Sequence, residues 1–382
     1  MRFQKGYWSI WIAALLFFAA FYTLMIPFPL YLSDIGLPDW QVGVILGALG
    51  ITSLVARPVT GALADGWGRR PVMLIGTVAL VLGAVGVTAT VRPPLLFGMR
   101  VSQALGYVAF TTAATAMISD LAPQQEKGAT LALFGTAANL AMTTTPAAVN
   151  ALLETLTLTG AFWLSGALAV LGGLLVLRVR QPAATAARVS SWRDLLRILR
   201  RLRFAVLAAV LFGVGFGAYL QFLPLLVDRR GLGAAGWVYT VYGLGIIATR
   251  LTTGRLLDSE RRVELLSIAF VLLALGLTGF AFATVSVHLL LAALFIAVGS
   301  GMLHPGLMAL HIERAAPHER GRASAAFYLG FDLGIGLGAW ILSPAFQTLG
   351  LVGLYLLAAC ATVSGVIPMR RFSPASGGAL AD

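Results

Sequence analysis

Gly61-Ala-Leu-Ala-Asp65-Gly-Trp-Gly68-Arg69-Arg70 is a short polar break, carrying three glycines, between two long apolar runs. An echo, Gly254-Arg-Leu-Leu-Asp258-Ser-Glu-Arg261-Arg262, begins 193 residues downstream. Two copies of one charged elbow, each tying a pair of apolar segments, point to an internal duplication. The spacing holds well beyond the elbows. Gly43, Gly50, Arg57, Thr60, Gly61, Leu63, Asp65 and Arg69 recur as Gly236, Gly243, Arg250, Thr253, Gly254, Leu256, Asp258 and Arg262. Glu126, Gly128 and Phe134 recur as Glu319, Gly321 and Phe327 with no change of offset.

Composition names the solvent of the duplicated unit. Of 382 residues, 59% are hydrophobic and 11% charged, and the mean hydropathy is +0.88. A soluble domain carries about 25% charged residues, so most of this chain must face lipid. Apolar runs of spanning length, ~20 residues each, fall at 8–32, 40–64, 71–91, 94–119, 128–152, 160–177, 204–227, 236–257, 263–285, 288–312, 322–347 and 350–369. The expected fold is therefore an all-α integral membrane protein, with twelve transmembrane helices in two pseudo-symmetric six-helix bundles. The expected bounds are 1–178 and 204–372 for the bundles, 179–203 for a linker and 373–382 for a disordered tail. Six spans per repeat is an even number, so the halves share one topology and are related by an axis along the membrane normal. The run from Trp8 is read as a retained first helix rather than a signal peptide, since it is long and lacks a small-residue cleavage site.

The net charge of +12 follows orientation rather than nucleic acid. Of the 27 Lys and Arg residues, 21 fall in connections on one side or at the run ends beside them, three on the other side (Arg92, Arg229, Arg230) and three deep inside runs (Arg57, Arg100, Arg250). The positive-inside bias places the rich side, and both termini, in the cytoplasm. Anionic lipid is then the electrostatic partner, and the expected location is a bacterial inner membrane. Between spans six and seven, Trp192–Arg203 sets Leu195, Leu199 and Leu202 opposite Arg193, Arg197, Arg200 and Arg201, the pattern of a basic amphipathic helix on the inner leaflet.

Catalytic constellations are missing from the sequence: there is no P-loop, no His-Glu-x-x-His and no Gly-x-Ser-x-Gly. Cys360 stands alone, which rules out an intramolecular disulfide, and four scattered histidines give no metal cage. No enzyme activity, cofactor or metal is expected. Charges inside runs cost at least ~2.5 kcal/mol each on insertion scales, so each needs a partner or a wet cavity. Asp332 is the acidic residue deep inside a run, and His304 is a second group able to change charge near neutral pH.

At these residues the chain resembles the major facilitator superfamily over essentially its full length. The loop signature of that family, roughly G-x-L-x-D-x-x-G-R-R/K, is complete here as Gly61, Leu63, Asp65, Gly68, Arg69 and Arg70. Its fourth-span motif appears as Leu96, Arg100 and Gln103, with Ala104 where glycine is usual and Gly106 nearby. The fifth span, Gly135 to Pro146, keeps the proline of the drug-antiporter signature without its glycines. Phe331-Asp332-Leu-Gly334-Ile-Gly336-Leu-Gly338 is similar to bacterial exporters of small metabolites and metal chelators.

The resemblance implies a secondary active transporter of the twelve-helix drug and metabolite efflux branch, working as a monomer on a small-molecule substrate with protons as coupling ion. Asp65, Arg69 and Arg70 would form an inner gate, mirrored more loosely by Gly254, Asp258, Arg261 and Arg262. Packing of spans two and eleven implies an Arg57–Asp332 ion pair, with a weaker Arg250–Asn139 counterpart. Tyr22, Gln103, Tyr107, Asn139, Tyr219, Gln221 and Tyr242 fall on spans that line the family's cavity, with Arg100 as a site for substrate anions or for tuning a carboxylate. Import, uncoupled facilitation and a non-transporting sensor remain the alternatives to proton-coupled export.

Overall fold

The computed structural model describes residues 6–122, 126–179, 192–257, 261–316 and 319–372. Among them every expected run is helical and no strand occurs. A spanning backbone in lipid must satisfy all its polar groups within itself, which leaves these apolar runs the helix as their solution. The first run is two helices, α1 (Tyr7–Thr23) and α2 (Pro27–Asp34), separated where Pro27 cannot donate to the preceding turn. Then come α3 (Asp39–Gly66), α4 (Arg69–Val85) with a short 3-10 turn after it, α5 (Pro93–Leu121), α6 (Lys127–Leu152) and α7 (Leu158–Leu177). Pro93 opens α5 at a position where a missing N–H costs nothing. Thr157 caps α7 by accepting from the Gly160 N–H at 3.1 Å.

The second repeat holds α9 (Arg203–Arg230), α10 (Ala235–Leu257), α11 (Arg262–Phe282), α12 (Ser286–Glu313) and α13 (Arg320–Val363), followed by α14 (Val366–Met369). α13 covers the eleventh run and most of the twelfth as two helical stretches that break at Gly350 (φ 65°, ψ −162°), a non-helical turn between them. Among the described residues nine stretches are long and apolar enough to cross a membrane, the last of them, Arg320–Phe372, holding two runs. Leu171, Leu174, Leu251, Leu275, Leu291 and Ile341 are exposed on these helices, as side chains meant for lipid should be.

The chain divides into two compact units. The first comprises 1–37, 52–189 and 234–240, and the second 38–51, 190–233 and 241–382. Two helices are thus shared. The first turns of α3 count with the second unit, where the Trp340 indole donates to Val44 O at 3.0 Å and the Trp40 N–H donates to Gln347 Oε1 at 3.4 Å. The first turns of α10 count with the first unit, where the Gly236 N–H donates to Asn150 Oδ1 at 3.2 Å and the Thr240 hydroxyl to Thr143 O at 2.9 Å.

Within each unit the duplication is visible in the packing. In the first, α4 meets α5 through Gly76, Gly83 and Gly106 so closely that a Cβ on Gly106 would lie 2.7 Å from Gly76 O and from Leu80 N. In the second, α11 meets α12 in the same way. A Cβ on Gly299 would lie 2.7 Å from Ala269 O and 2.8 Å from Leu273 N, and one on Gly276 would lie 2.7 Å from Ala292 O. Each residue of the second set stands 193 after its counterpart, so small residues bring equivalent backbones into contact twice.

The linker helix α8 (Trp192–Arg201) lies at the expected place. Ile198 and Leu202 are buried against α9 and α13, and Arg201 reaches Glu319 Oε2 at 2.8 Å and Arg314 O at 3.2 Å. Part of the apolar face that the sequence assigned to lipid is therefore spent on protein.

Candidate functional site

The quoted elbow folds into a compact charge cluster inside the first unit. α3 ends at Gly66, and Gly68 takes φ 100°, a left-handed conformation that an L side chain resists, to start α4 at Arg69. This turn returns Arg69 onto its own approach: Arg69 Nη1 bonds Asp65, and Arg69 Nε donates to Asp120 Oδ2 at 3.2 Å. Side-chain exposure is 13% for Arg69 against 29% and 30% for the two carboxylates, so the cation sits deepest and is bracketed by both anions. Arg70 Nη2 donates to Leu177 O at 2.6 Å, tying the elbow to the end of α7. Gly61 and Leu63 lie on the last turns of α3, Leu63 half-buried.

Asp120 was not singled out in the sequence, yet the duplication marks it. Arg262, the counterpart of Arg69, bonds Glu313, the counterpart of Asp120, and both pairs span 51 residues. The signal was available in the offset, but Asp120 and Glu313 differ in type and lie far from the elbows in sequence. The second elbow turns differently. Arg261, in the place of Gly68, has φ −80° and is exposed. That backbone needs no glycine, which accounts for the departure from the motif. Asp258 lies outside the described residues, and of Gly254 only its place in α10 is described.

A second group of the first unit surrounds Arg100, which is 7% exposed on α5 about seven residues, or ~10 Å, from the start of the helix. Its Nη1 donates to Gln103 Oε1 at 2.9 Å, and Gln103 Nε2 in turn donates to Gly83 O at 2.9 Å. The Phe28 ring lies 5.1 Å from the guanidinium carbon. Two turns from Arg100 along α5, Tyr107 packs on Phe21 with ring centroids 4.5 Å apart and on Phe18 at 6.3 Å. Tyr22 is close by, 6.3 Å from Phe18. Gln103 and Tyr22 are buried, whereas Tyr107 keeps part of its surface.

The second unit gathers aromatic side chains. Tyr219 and Tyr242 meet at 4.6 Å with their rings tilted by 42° and almost no exposed surface, and the Tyr242 hydroxyl lies 3.1 Å from Ser300 Oγ. Gln221 is equally buried, its Nε2 donating to Ile335 O at 3.4 Å. Half-buried Phe216 covers the two tyrosines, its ring meeting Tyr219 at 6.1 Å, Tyr242 at 6.2 Å and Phe331 at 5.4 Å. His304, half-buried on α12, has its ring edge-on to Phe327 at 5.1 Å and to Phe331 at 5.9 Å. Asp332 is 6% exposed on α13. Arg57 is half-buried on α3 and Asn139 half-buried on α6, while Arg250 is exposed on α10. At the other end of the second unit Arg229 holds Asp39 through both terminal nitrogens, one at 2.9 Å, and covers the Phe346 ring at 4.9 Å. From the sequence Asp39 is expected to be a solvated group at the outer mouth; the structure pairs it with Arg229 instead.

The arrangement offers buried and half-buried charge, ion pairs and aromatic surface, and among the described residues no cluster of metal-ligating side chains. Comparison with known proteins identifies the family. The Major Facilitator Superfamily model matches residues 10–339 and 232–377. A chloramphenicol resistance protein of Streptomyces lividans is 26% identical over 83% of this chain and 84% of its own length. A staphylopine export protein of Staphylococcus aureus is 22% identical over 95% and 94%. Among solved structures, the nucleoside transporter NupG superposes with a TM-score of 0.77 at 14% identity, covering 96% of this chain and 98% of its own. The human organic anion transporter MFSD10 gives 0.69 at 17% identity, covering 95% and 98%. A duplicated six-helix plan, a complete elbow motif with its ion cluster and a model match across the chain have one common explanation: the protein belongs to the major facilitator superfamily of membrane transporters.

Proposed function

We propose that this transporter is a proton-coupled exporter of a small organic molecule, working by alternating access in a bacterial inner membrane with both termini in the cytoplasm. The observation that carries the reading is Asp332, an acidic side chain 6% exposed and about three turns into α13. Keeping a carboxylate at that depth costs several kcal/mol unless it is paired or takes up a proton, and a group poised between those two conditions is what proton coupling requires. Arg57 is its proposed partner in the paired condition, and Arg250 with Asn139 the weaker counterpart. His304, among its aromatic neighbours, is the second candidate carrier. The Asp65–Arg69–Asp120 cluster supports a gate on the face that carries the elbow, formed in one state and rearranged in the other. Export rather than import is favoured by the resistance and export proteins among its relatives. The protein is proposed to act as a monomer without cofactor.

Proteoliposomes loaded with a pH-sensitive dye test this directly. Under an imposed pH gradient, chloramphenicol and a panel of amphiphilic organic solutes are offered, and proton and solute movement are followed together. Opposed movement, lost in Asp332→Asn while the variant keeps its wild-type melting temperature, is the expected result. Co-directed movement identifies a symporter instead. Solute flux that ignores the gradient in the wild type sinks proton coupling.

A further inference from the structure

We infer that the substrate carries a carboxylate, and that Arg100 receives it through the Nε/Nη2 edge of its guanidinium. The inference rests on the transporter reading and names the substrate class for it. Among the described residues the hydrogen bond of this side chain is Nη1 to Gln103, and the buried Nε–H has no acceptor. Nη2 lies beside Nε on the same edge of the guanidinium. These are the two donors that lie parallel on one edge of the guanidinium and fit both oxygens of a carboxylate at once. A buried donor left unmade is expensive, more so when charged, and native structures retain one chiefly where function fills it.

The surroundings hold the fork still without answering it. Gln103 fixes Nη1 and is itself fixed by Gly83 O, while Phe28 supplies a ring face, which attracts the cation but accepts no fork geometry. Among the described residues the ion pairs of the elbow fall on Arg69, and Arg100 takes part in none of them. The duplication sharpens the point. The positions 193 residues after Arg100 and Gln103 are Ala293 and Ile296, on α12. There the same close packing of glycine against backbone is built without any charge, so α5 does not need Arg100 in order to pack on α4. Two turns along α5 from Arg100, about 10 Å at helical rise, partly exposed Tyr107 lies against Phe21. A cation at one end and aromatic surface at the other suit an amphiphilic anion, an aryl or alkyl carboxylate rather than a compact inorganic one.

The probes are benzoate, 3-phenylpropionate and 4-phenylbutyrate, each against its neutral amide, with acetate and chloride as small anions. Each is added at roughly 10 mM, enough to occupy a site of millimolar affinity, to the purified full chain in detergent. The apparent melting temperature is then compared across the wild type, Arg100→Gln and Arg100→Lys. At least one aryl carboxylate should raise the wild-type value by roughly 2 °C or more, with its amide giving less than half of that. Arg100→Gln should abolish the difference between acid and amide, and Arg100→Lys, a point charge without a fork, should restore part of it. Equal shifts from acid and amide overturn the inference, as does no shift from any carboxylate, or an undiminished acid response in Arg100→Gln. Acetate or chloride reproducing the whole shift means an adventitious ion only. Should the Arg100 variants fail to fold, Tyr107→Ala, at the aromatic end, must lower the response to the aryl acids while leaving that to acetate alone. Pulling the two readings apart is simple: transport of a neutral solute that survives in Arg100→Gln defeats the anion but leaves the transporter.

Discussion

At the scale of single residues, Gly68 and Arg69 decide what the elbow can do. Gly68 holds φ 100°, and its counterpart Arg261 sits at φ −80°, so the two elbows must respond differently to the same substitution. Gly68→Ala should cost about 1–2 kcal/mol, the order expected for forcing a side chain into left-handed backbone. Arg261→Ala should leave stability within about 0.5 kcal/mol, as for an ordinary surface change. Denaturation midpoints of the two variants in detergent check the contrast. Arg69 is shared between Asp65 and Asp120, which makes their effects interdependent. In a double-mutant cycle with Asp65→Asn and Asp120→Asn, the combined loss of transport should differ from the sum by about 0.5–1 kcal/mol. Strict additivity would mean that the triad does not act as one unit. The motif residues of this cluster were legible in the sequence because their spacing is local. Asp120 was not, since nothing near it in the chain says that α5 returns its end to the elbow.

At the scale of helices, small residues matter more than large ones. α4 on α5 and α11 on α12 are pressed together at Gly106 and Gly299, where an added Cβ would lie well inside contact distance of backbone atoms that cannot turn away. Gly106→Val and Gly299→Val should each lower the melting temperature markedly, by an overpacking cost of about 1–3 kcal/mol or more. Because the two contacts are equivalent by the duplication, their losses should be of similar size. A tolerated Gly299→Val beside a damaging Gly106→Val would show that the copies have drifted apart energetically. α8 shows the limit of pattern reading at this scale. Its alternation of leucines and arginines announces an amphipathic helix, but the pattern is the same whether the apolar face meets lipid or protein. Ile198 and Leu202 are buried on α9 and α13, and the choice was made by those neighbours.

At the scale of the whole molecule, the helices α3 and α10 each contribute turns to both compact units, so the proposed conformational cycle would be read there first. The Asp39–Arg229 pair holds the start of α3 within the second unit, backed by Phe346 and by Trp340 on Val44 O. Asp39→Asn should speed the exposure of a cysteine placed at the start of α3 to a water-soluble thiol reagent, and the exchange Asp39→Arg with Arg229→Asp should bring the rate back. The change is expected to be a few-fold, in keeping with ~0.5–1 kcal/mol for a partly exposed pair with good geometry. An unchanged rate in Asp39→Asn would remove this pair from the cycle.

The sequence by itself determined that the chain crosses a membrane many times, that it was built by doubling a six-helix unit, and that a charged elbow recurs in each copy. Those are matters of hydropathy and spacing, which local chain properties carry. Only the tertiary structure decided which carboxylate closes on Arg69, that Tyr219, Gln221 and Tyr242 are buried, and that the Arg100 Nε–H has no acceptor among the described residues. The reason is physical: hydrogen-bond partners and burial depend on which helices meet and at what depth. A uniformly apolar helix carries no periodicity to say which of its faces will be covered.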